Sequence, residues 1–258
     1  MKILITGGNG YIAKSLYNAL KQEHSVMSIN RDNFDLTNRE STDIFFRHRL
    51  FDIVIHCAVS GGNRIKQDSW DIMDDNLNMY YNLLNNKDHF DKLIHFGSGA
   101  ELHAQTTPYG LSKHVIRQSI LEKDNFFNLR IFGVFDENEL DTRFIKSNVI
   151  RYINKQPLEI YEDKYMDFIY MQDLIKIVNY YIENNNSLPK EINCCYNTVC
   201  RLTKIAQIIN NLDQHKVEVI IENANSQSYT GSGVSLYMDF IGLENGIKQV
   251  YEKLKNGK

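Results

Sequence analysis

The sequence predicts an α/β fold, a doubly wound parallel sheet with a smaller C-terminal region. Three observations lead to it. Short apolar runs alternate with stretches of helical periodicity through the first half of the chain, as expected for parallel strands covered by helices on both faces. The first apolar run, Lys2–Thr6, ends directly in Gly7, Gly8 and Gly10, and a helical pattern follows at once. Past about Asp136 the alternation loosens, so the remainder forms a region of its own.

The expected strands are Lys2–Thr6, Val26–Ile29, Asp52–Cys57, Lys92–Phe96 and Phe127–Ile131, short apolar runs bounded by polar or turn residues. Trp70–Leu84 and Pro108–Leu121 carry apolar residues at helical spacing between them. Asp136–Asp141 is acidic and reads as a loop. Thr142–Asn154 reads as a helix, Leu158–Tyr161 as a short strand and Asp173–Glu183 as a helix. A polar loop, Asn184–Lys190, precedes a strand at Ile192–Tyr196 that returns to the sheet. Helices near Thr203–Asn211 and Leu243–Leu254 complete the chain.

Composition narrows the function. The 258 residues carry a formal charge of −3, and the 29 basic side chains form no stripe, so a nucleic-acid partner is not expected. No apolar run approaches a membrane span. The first is too short for a signal peptide and runs into a glycine turn, so the expected location is cytoplasmic. The four cysteines form no CxxC pair and no HExxH is present. Reduced cysteines and no metal site are therefore expected.

Gly8-Asn9-Gly10-Tyr11-Ile12-Ala13 matches G-x-G-x-x-A, and Gly7-x-x-Gly10-x-x-Ala13 matches G-x-x-G-x-x-A. Between a strand and a helix, such glycines permit a tight turn and close approach of a pyrophosphate. The small Ala13 allows close helix–strand packing, and the helix N-terminus offers N–H groups to the phosphates. A glycine-rich turn without ligand is the plain alternative. The position right behind the first strand favours a dinucleotide, held by Gly7, Gly10, Tyr11 and Ile12.

An NAD ribose is usually held by an acidic residue ending the second strand. Here the run is Ser28-Ile29-Asn30-Arg31-Asp32. Asn30 takes the acidic position, and the Arg31 guanidinium suits a 2′-phosphate. NADP(H) is the expected cofactor and NAD(H) the other option, with Asp32 then on the ribose. Asp35-Leu36 is placed to contact the adenine.

Tyr109-Gly-Leu-Ser-Lys113 follows Pro108, a residue suited to the first turn of a helix. At i and i+4, Tyr109 and Lys113 share a helix face. An ammonium beside a phenol lowers its pKa, and the pair can then exchange a proton with a carbonyl oxygen. The spacing alone is uninformative, since Tyr17/Lys21 and Tyr251/Lys255 match it too. Only Tyr109 also has a serine, Ser98, at an upstream strand end, where it can hydrogen-bond the substrate oxygen.

Taken together, TGGNGYIA, HCAVSGG, Asn76 in DNLNMYYNLL, FGSGAE and YGLSK resemble the extended short-chain dehydrogenase/reductase family, the NAD-dependent epimerases and dehydratases, over most of the chain. The resemblance implies a Rossmann-type fold with catalytic Ser98, Tyr109 and Lys113. Lys113 also binds the nicotinamide ribose, and Ala58 lies in the cofactor site. The implied domains are a dinucleotide-binding domain over residues 1–140, rejoined by 165–200, and a substrate-binding region over 141–164 and 201–258.

INRDNFDL, FGSGA, PYGLSK and FIKSNVI look like the family's NADP-dependent sugar reductases, of the GDP-L-fucose synthase and dTDP-4-dehydrorhamnose reductase kind. The former also epimerise, through a cysteine and a histidine whose places here hold Ala100 and Asn148. Reduction without ring epimerisation is therefore implied. Ser98, Gly99 and Asn148 are the implied substrate contacts, and the substrate is a nucleotide-activated 4-keto-6-deoxy sugar reduced with a hydride from NADPH.

Two alternatives stand beside this reading: a 4-epimerase or dehydratase with bound NAD, and a regulatory NADP-binding protein without turnover. Met166 replaces the arginine often found near the substrate diphosphate, which leaves Arg143, Lys146 and Lys155 as cations of that region, though each reads more readily as a solvated helix charge. Relatives often pair through two helices, so a homodimer is an expectation.

Overall fold

The computed structural model describes residues 1–62, 67–184, 188–224, 226–231, 236 and 238–257. Part of the expected Asn184–Lys190 loop, residues 185–187, lies outside the described residues. In chain order the first half comprises β1 (Lys2–Thr6), α1 (Tyr11–Leu20), β2 (Ser25–Ile29), α2 (Arg39–Phe46), β3 (Phe51–His56), α3 (Asp71–Asn85), β4 (Phe90–Ser98), α4 (Ala100–His103), α5 (Pro108–Leu121) and β5 (Phe126–Ile131). There follow β6 (Val134–Phe135), α6 (Phe144–Ile153), β7 (Leu158–Glu162), β8 (Tyr165–Met166), β9 (Ile169–Tyr170), α7 (Met171–Glu183), β10 (Glu191–Cys194), β11 (Cys200–Arg201), α8 (Leu202–Asn210), β12 (Val219–Asn223) and α9 (Leu243–Asn256).

The chain divides into two compact units. One is Met1–Arg130 with Val178–Ile192, the other Ile131–Ile177 with Asn193–Lys258. The division therefore falls at residue 130, ahead of the 140 expected, and the rejoining segment is shorter than 165–200.

The first unit is built on a six-stranded sheet of order β10-β5-β4-β3-β1-β2. β1 pairs in parallel with β2 and β3, and β3 with β4. Leu4, Ile29, Val54, Tyr80, Leu83 and Ile116 belong to one core that joins the sheet to its helices. The register places Thr6 of β1 beside His56 of β3, and His56 beside His95 of β4. Three polar side chains thus form a row across the carboxyl ends of the strands, where open α/β sheets bind their ligands.

α2 was not expected, because its run RESTD is polar. Its signals are Asn38, whose side chain accepts from Ser41 N at 2.9 Å, Glu40 in the first turn and the buried Thr42 and Phe46. The two-residue strands of the second unit were also missed, since a run that short has no period to detect.

The second unit packs α6, α8 and α9 with β7 around Ile145, Val149, Leu158, Ile205, Ile247 and Val250. β12 pairs in parallel with β7, and β11 antiparallel with β8. Cys57, Cys194, Cys195 and Cys200 are free thiols. Among the described residues no helix is long and apolar enough to cross a membrane.

Candidate active site

The glycine turn connects β1 to α1 beside a cleft of about 240 Å³, whose wall includes Gly7, Gly10, Arg31, Asp35, Leu36 and Ala58. Gly7 has φ +71, and a Cβ there would lie 2.6 Å from Ala58 N. The turn crosses the end of β3 so tightly that no side chain fits, whatever is bound. Gly10 differs, since its Cβ would meet only Gly7 O, at 3.1 Å. Packing therefore accounts for Gly7, in line with the tight turn expected of one of these glycines. Gly10 is the position that packing leaves unexplained.

The start of α1 suits an anion. Its N-cap is Gly10, with no side-chain cap and no acidic residue in the first turn, in contrast to α2 and α5, which Asn38 and Thr107 cap. A helix start without a capping side chain, facing a cleft, fits a pyrophosphate. Tyr11 and Ile12 form this first turn and are half-buried. Gly7→Ala is expected to cost about 2 kcal/mol or more in stability. Gly10→Ala should cost no more than about 1 kcal/mol yet weaken dinucleotide binding. Thermal melts and NADPH titration of both variants separate the roles, and normal binding by Gly10→Ala would refute the assignment.

Behind β2 the chain forms a polar rim. Asn30 Nδ2 donates to Asn9 Oδ1 at 3.1 Å, and Asn9 Nδ2 to Asp32 Oδ2 at 2.7 Å. The Arg31 side chain is 67% exposed and meets Asp75 Oδ2 at 3.2 Å, so most of its guanidinium edge is available to a ligand. Asp35 accepts from the Thr37 hydroxyl and backbone N–H, which hold its carboxyl below the usual range. Leu36 is buried, and Asn82 of α3 holds its carbonyl at 2.9 Å.

Ser98 ends β4, and its Oγ accepts from Ala100 N at 3.2 Å. Gly99 and Ala100 begin α4. Tyr109 opens α5, half-buried. Lys113 stands one turn on and is buried, its Nζ 6.0 Å from the centre of the Tyr109 ring and donating to Phe96 O at 2.7 Å. Lys113 Nζ also lies 3.4 Å from His95 Nε2, so it sits on the Thr6–His56–His95 row. Burial pulls Lys113 down to about 8, while Glu101 and Cys57 act the other way. Burial and the lysine charge hold His56 near 3 and His95 well below its ordinary value, so both rings are neutral and repel the ammonium little.

Tyr109 and Lys113, like Tyr11 and Ile12, stand outside the cleft wall formed by Gly7, Gly10, Arg31, Asp35, Leu36 and Ala58. The loop after β3 links the two groups. Ala58 and Ser60 line the cleft, and a Cβ on Gly62 would lie 2.9 Å from Tyr109 Cζ. Asn76 of α3 fixes this loop. It accepts from Ser60 N at 2.8 Å and donates to Ser60 O and to Ser112 Oγ of α5, both at 3.0 Å.

The second unit corrects several expectations. Asn148 is 2% exposed and has its amide committed to backbone: Nδ2 donates to Phe144 O and Glu159 O, and Oδ1 accepts from Glu159 N. It pins α6 to β7 and has no donor left for a substrate. Lys146 is buried and holds Glu139 O at 2.6 Å and Asp141 at 2.8 Å, so it stabilises the acidic loop and is no solvated cation. Lys155 is exposed, with φ 56, past the end of α6. Arg143 is half-buried at the α6 N-cap, and Met166 lies in the second core.

Sequence reasoning missed His56, His95, Ser60, Asp75 and the buried Glu101. HCAVSGG and FGSGAE contain three of these five and His95 directly precedes the second, but nothing local distinguishes them from structural residues.

The model of the NAD dependent epimerase/dehydratase family matches residues 3–195. GDP-L-colitose synthase of Yersinia pseudotuberculosis is 21% identical over an alignment 305 positions long, which covers 100% of this chain and 99% of that protein. Among solved structures, a GDP-mannoheptose C4 reductase from Campylobacter jejuni with NADP bound aligns at a TM-score of 0.79 and 17% identity over 98% of each chain. A UDP-glucuronic acid 4-epimerase from Bacillus cereus, in complex with UDP-glucuronic acid and NAD, aligns at a TM-score of 0.80 and 19% identity over 100% of each. At such identities the structural likeness establishes the fold.

Proposed function

Since the chain belongs to the NAD dependent epimerase/dehydratase family, the extended short-chain dehydrogenases/reductases, we propose that it is an NADPH-dependent reductase of a nucleotide-activated 4-keto-6-deoxy sugar. The observation that carries the reductive chemistry is Lys113, a buried ammonium aimed by Phe96 O and one helical turn from Tyr109. The activities for which the relatives are named support the substrate class, a nucleotide sugar.

In this reading Gly7, Gly10, Tyr11 and Ile12 hold the pyrophosphate, Arg31 the 2′-phosphate, and Asp35, Leu36 and Ala58 the adenosine end. When bound, the reduced nicotinamide supplies the hydride. Tyr109 donates its phenolic proton to the oxygen of the keto group as negative charge develops there. The Lys113 ammonium stabilises the phenolate left behind, and its position beside Tyr109 costs no reorganisation during the reaction. The Ser98 hydroxyl, oriented by Ala100 N, holds the same oxygen, and Gly99 lets the sugar approach. Ala100 is buried against the end of β4 and carries no proton to exchange, in keeping with reduction alone. Two copies form a homodimer.

A second reading, an NAD-dependent 4-epimerase or dehydratase, draws on Asp32. Its carboxylate is tied to Asn9 of the glycine turn at 2.7 Å, within reach of a ribose placed there. One experiment separates the two. Wild type is expected to bind NADPH at least tenfold tighter than NADH, about 1.4 kcal/mol, and Arg31→Ala should lose that preference. Equal or better binding of NADH would remove the NADP reading. A panel of keto-sugar nucleotides with NADPH then tests turnover.

A further inference from the structure

We propose that Glu101 is a positioning residue. Through a chain of charges, buried at Glu101 and Arg130 and partly exposed at Glu191 and Arg117, it sets the placement of Ser98 relative to Tyr109 and Lys113, and its carboxylate, held at Ser98 N, is the anion two residues along β4 from Phe96 O, to which the Lys113 ammonium donates. The second half of this statement rests on the reading of Lys113 given above.

Glu101 is 0% exposed, three residues beyond Ser98 in the short α4. Oε2 accepts from Ser98 N at 3.4 Å. Oε1 accepts from Asn128 Nδ2 at 2.9 Å and from Arg130 Nε. Arg130 reaches on to Glu191 at 2.7 Å, and Glu191 grips Arg117 through two bonds of 2.5 and 2.6 Å. Arg117 lies on α5, one turn past Lys113 and two past Tyr109. Glu101, Arg130, Glu191 and Arg117 thus alternate in sign and sum to zero. They join the serine's segment to β5, β10 and the helix that carries the tyrosine and lysine.

Such a chain is a costly way to gain stability, because buried ion pairs seldom repay their desolvation. Its directionality suits the fixing of geometry. Burial pushes the Glu101 carboxyl up, and Arg130 and Asn128 oppose this. With a guanidinium in contact, the carboxylate form is kept. The titratable groups facing Lys113 are Glu101 from α4, Cys57 and His56 from the end of β3, His95 from β4 and Tyr109 from α5. Both histidines are neutral and burial holds the Cys57 thiol protonated, which leaves Glu101 as the formal anion of this set.

The test uses the whole chain with lysine side chains labelled at Cε, the Lys113 signal being assigned by its loss in Lys113→Met. In Glu101→Gln, which keeps the side chain's size, Lys113 is expected to titrate about one pH unit lower than in wild type. Once a substrate is in hand, the high-pH limb of kcat should move in the same direction. A folded Glu101→Gln variant in which Lys113 titrates as in wild type would overturn the proposal. If that variant does not fold, Arg117→Gln breaks the chain at its partly exposed end. It is then expected to lower kcat while NADPH affinity stays at the wild-type value, and an unchanged kcat would refute the positioning role. The lysine titration needs no substrate, so it stands or falls separately from the assignment of the reaction.

Discussion

Tyr109→Phe is expected to lower turnover by about 10²- to 10⁴-fold, the range that general acid catalysis contributes, while NADPH affinity stays unchanged. The substitution removes one oxygen from a half-buried ring and leaves the ring's contact with the Gly62 loop. The cleft wall formed by Gly7, Arg31 and Leu36 does not include Tyr109. Stopped-flow or steady-state oxidation of NADPH with a keto-sugar nucleotide measures turnover, and fluorescence titration measures binding. Retained turnover would show that another group donates the proton. The pH profile carries the companion signature. Burial holds Lys113 near 8, below its ordinary value, so the ammonium is present at neutral pH and is lost as pH rises through that value. Wild-type kcat should therefore decline above about 8, and the residual activity of Tyr109→Phe should lose that dependence.

Gly110→Ala is expected to be the most disruptive single-methyl change near the site, costing about 3 kcal/mol or more, at the upper end for overpacking. A Cβ at this position would lie 1.9 Å from Ala104 O and 2.9 Å from Ala100 O. Both neighbours are backbone of the segment through α4, so no side chain can rotate away, and α5 must separate from α4. That movement carries Ser98 and Glu101 away from Tyr109 and Lys113. A fall in melting temperature together with loss of turnover is the expected result. A variant with wild-type stability would mean that α4 is not held against α5 as described.

Much of the first unit was legible because its signals are local. Lys2–Thr6 and Pro108–Leu121 have the bounds read from apolar periodicity and from Pro108, and the glycine turn falls between β1 and α1 as its spacing requires. In the second unit reading was poorer. α6 and β7 could be seen, yet the purpose of Asn148 could not, since its partner Glu159 lies on a separate element. Arg31 and Asp35, which line the cleft, could be singled out because they follow a recognisable strand end. Asp75, which meets Arg31, lies 44 residues further along the chain and left no local trace.

By itself the sequence determined the elements of the first unit, the glycine turn and the pairing of Tyr109 with Lys113 on one helix face. All of these follow from the fixed periods of strand and helix and from residues close in the chain. Only the tertiary structure decided what surrounds them: Gly7 against Ala58 across the sheet, Lys113 sunk onto the His56–His95 row, and Glu101 joined to Arg130 and, through Glu191, to Arg117. Arg130 lies 29 residues from Glu101, and Glu191 lies 74 from Arg117. Burial and charge pairing are made by segments distant in the chain, so no local period encodes them. They set the protonation of the lysine and the place of the serine.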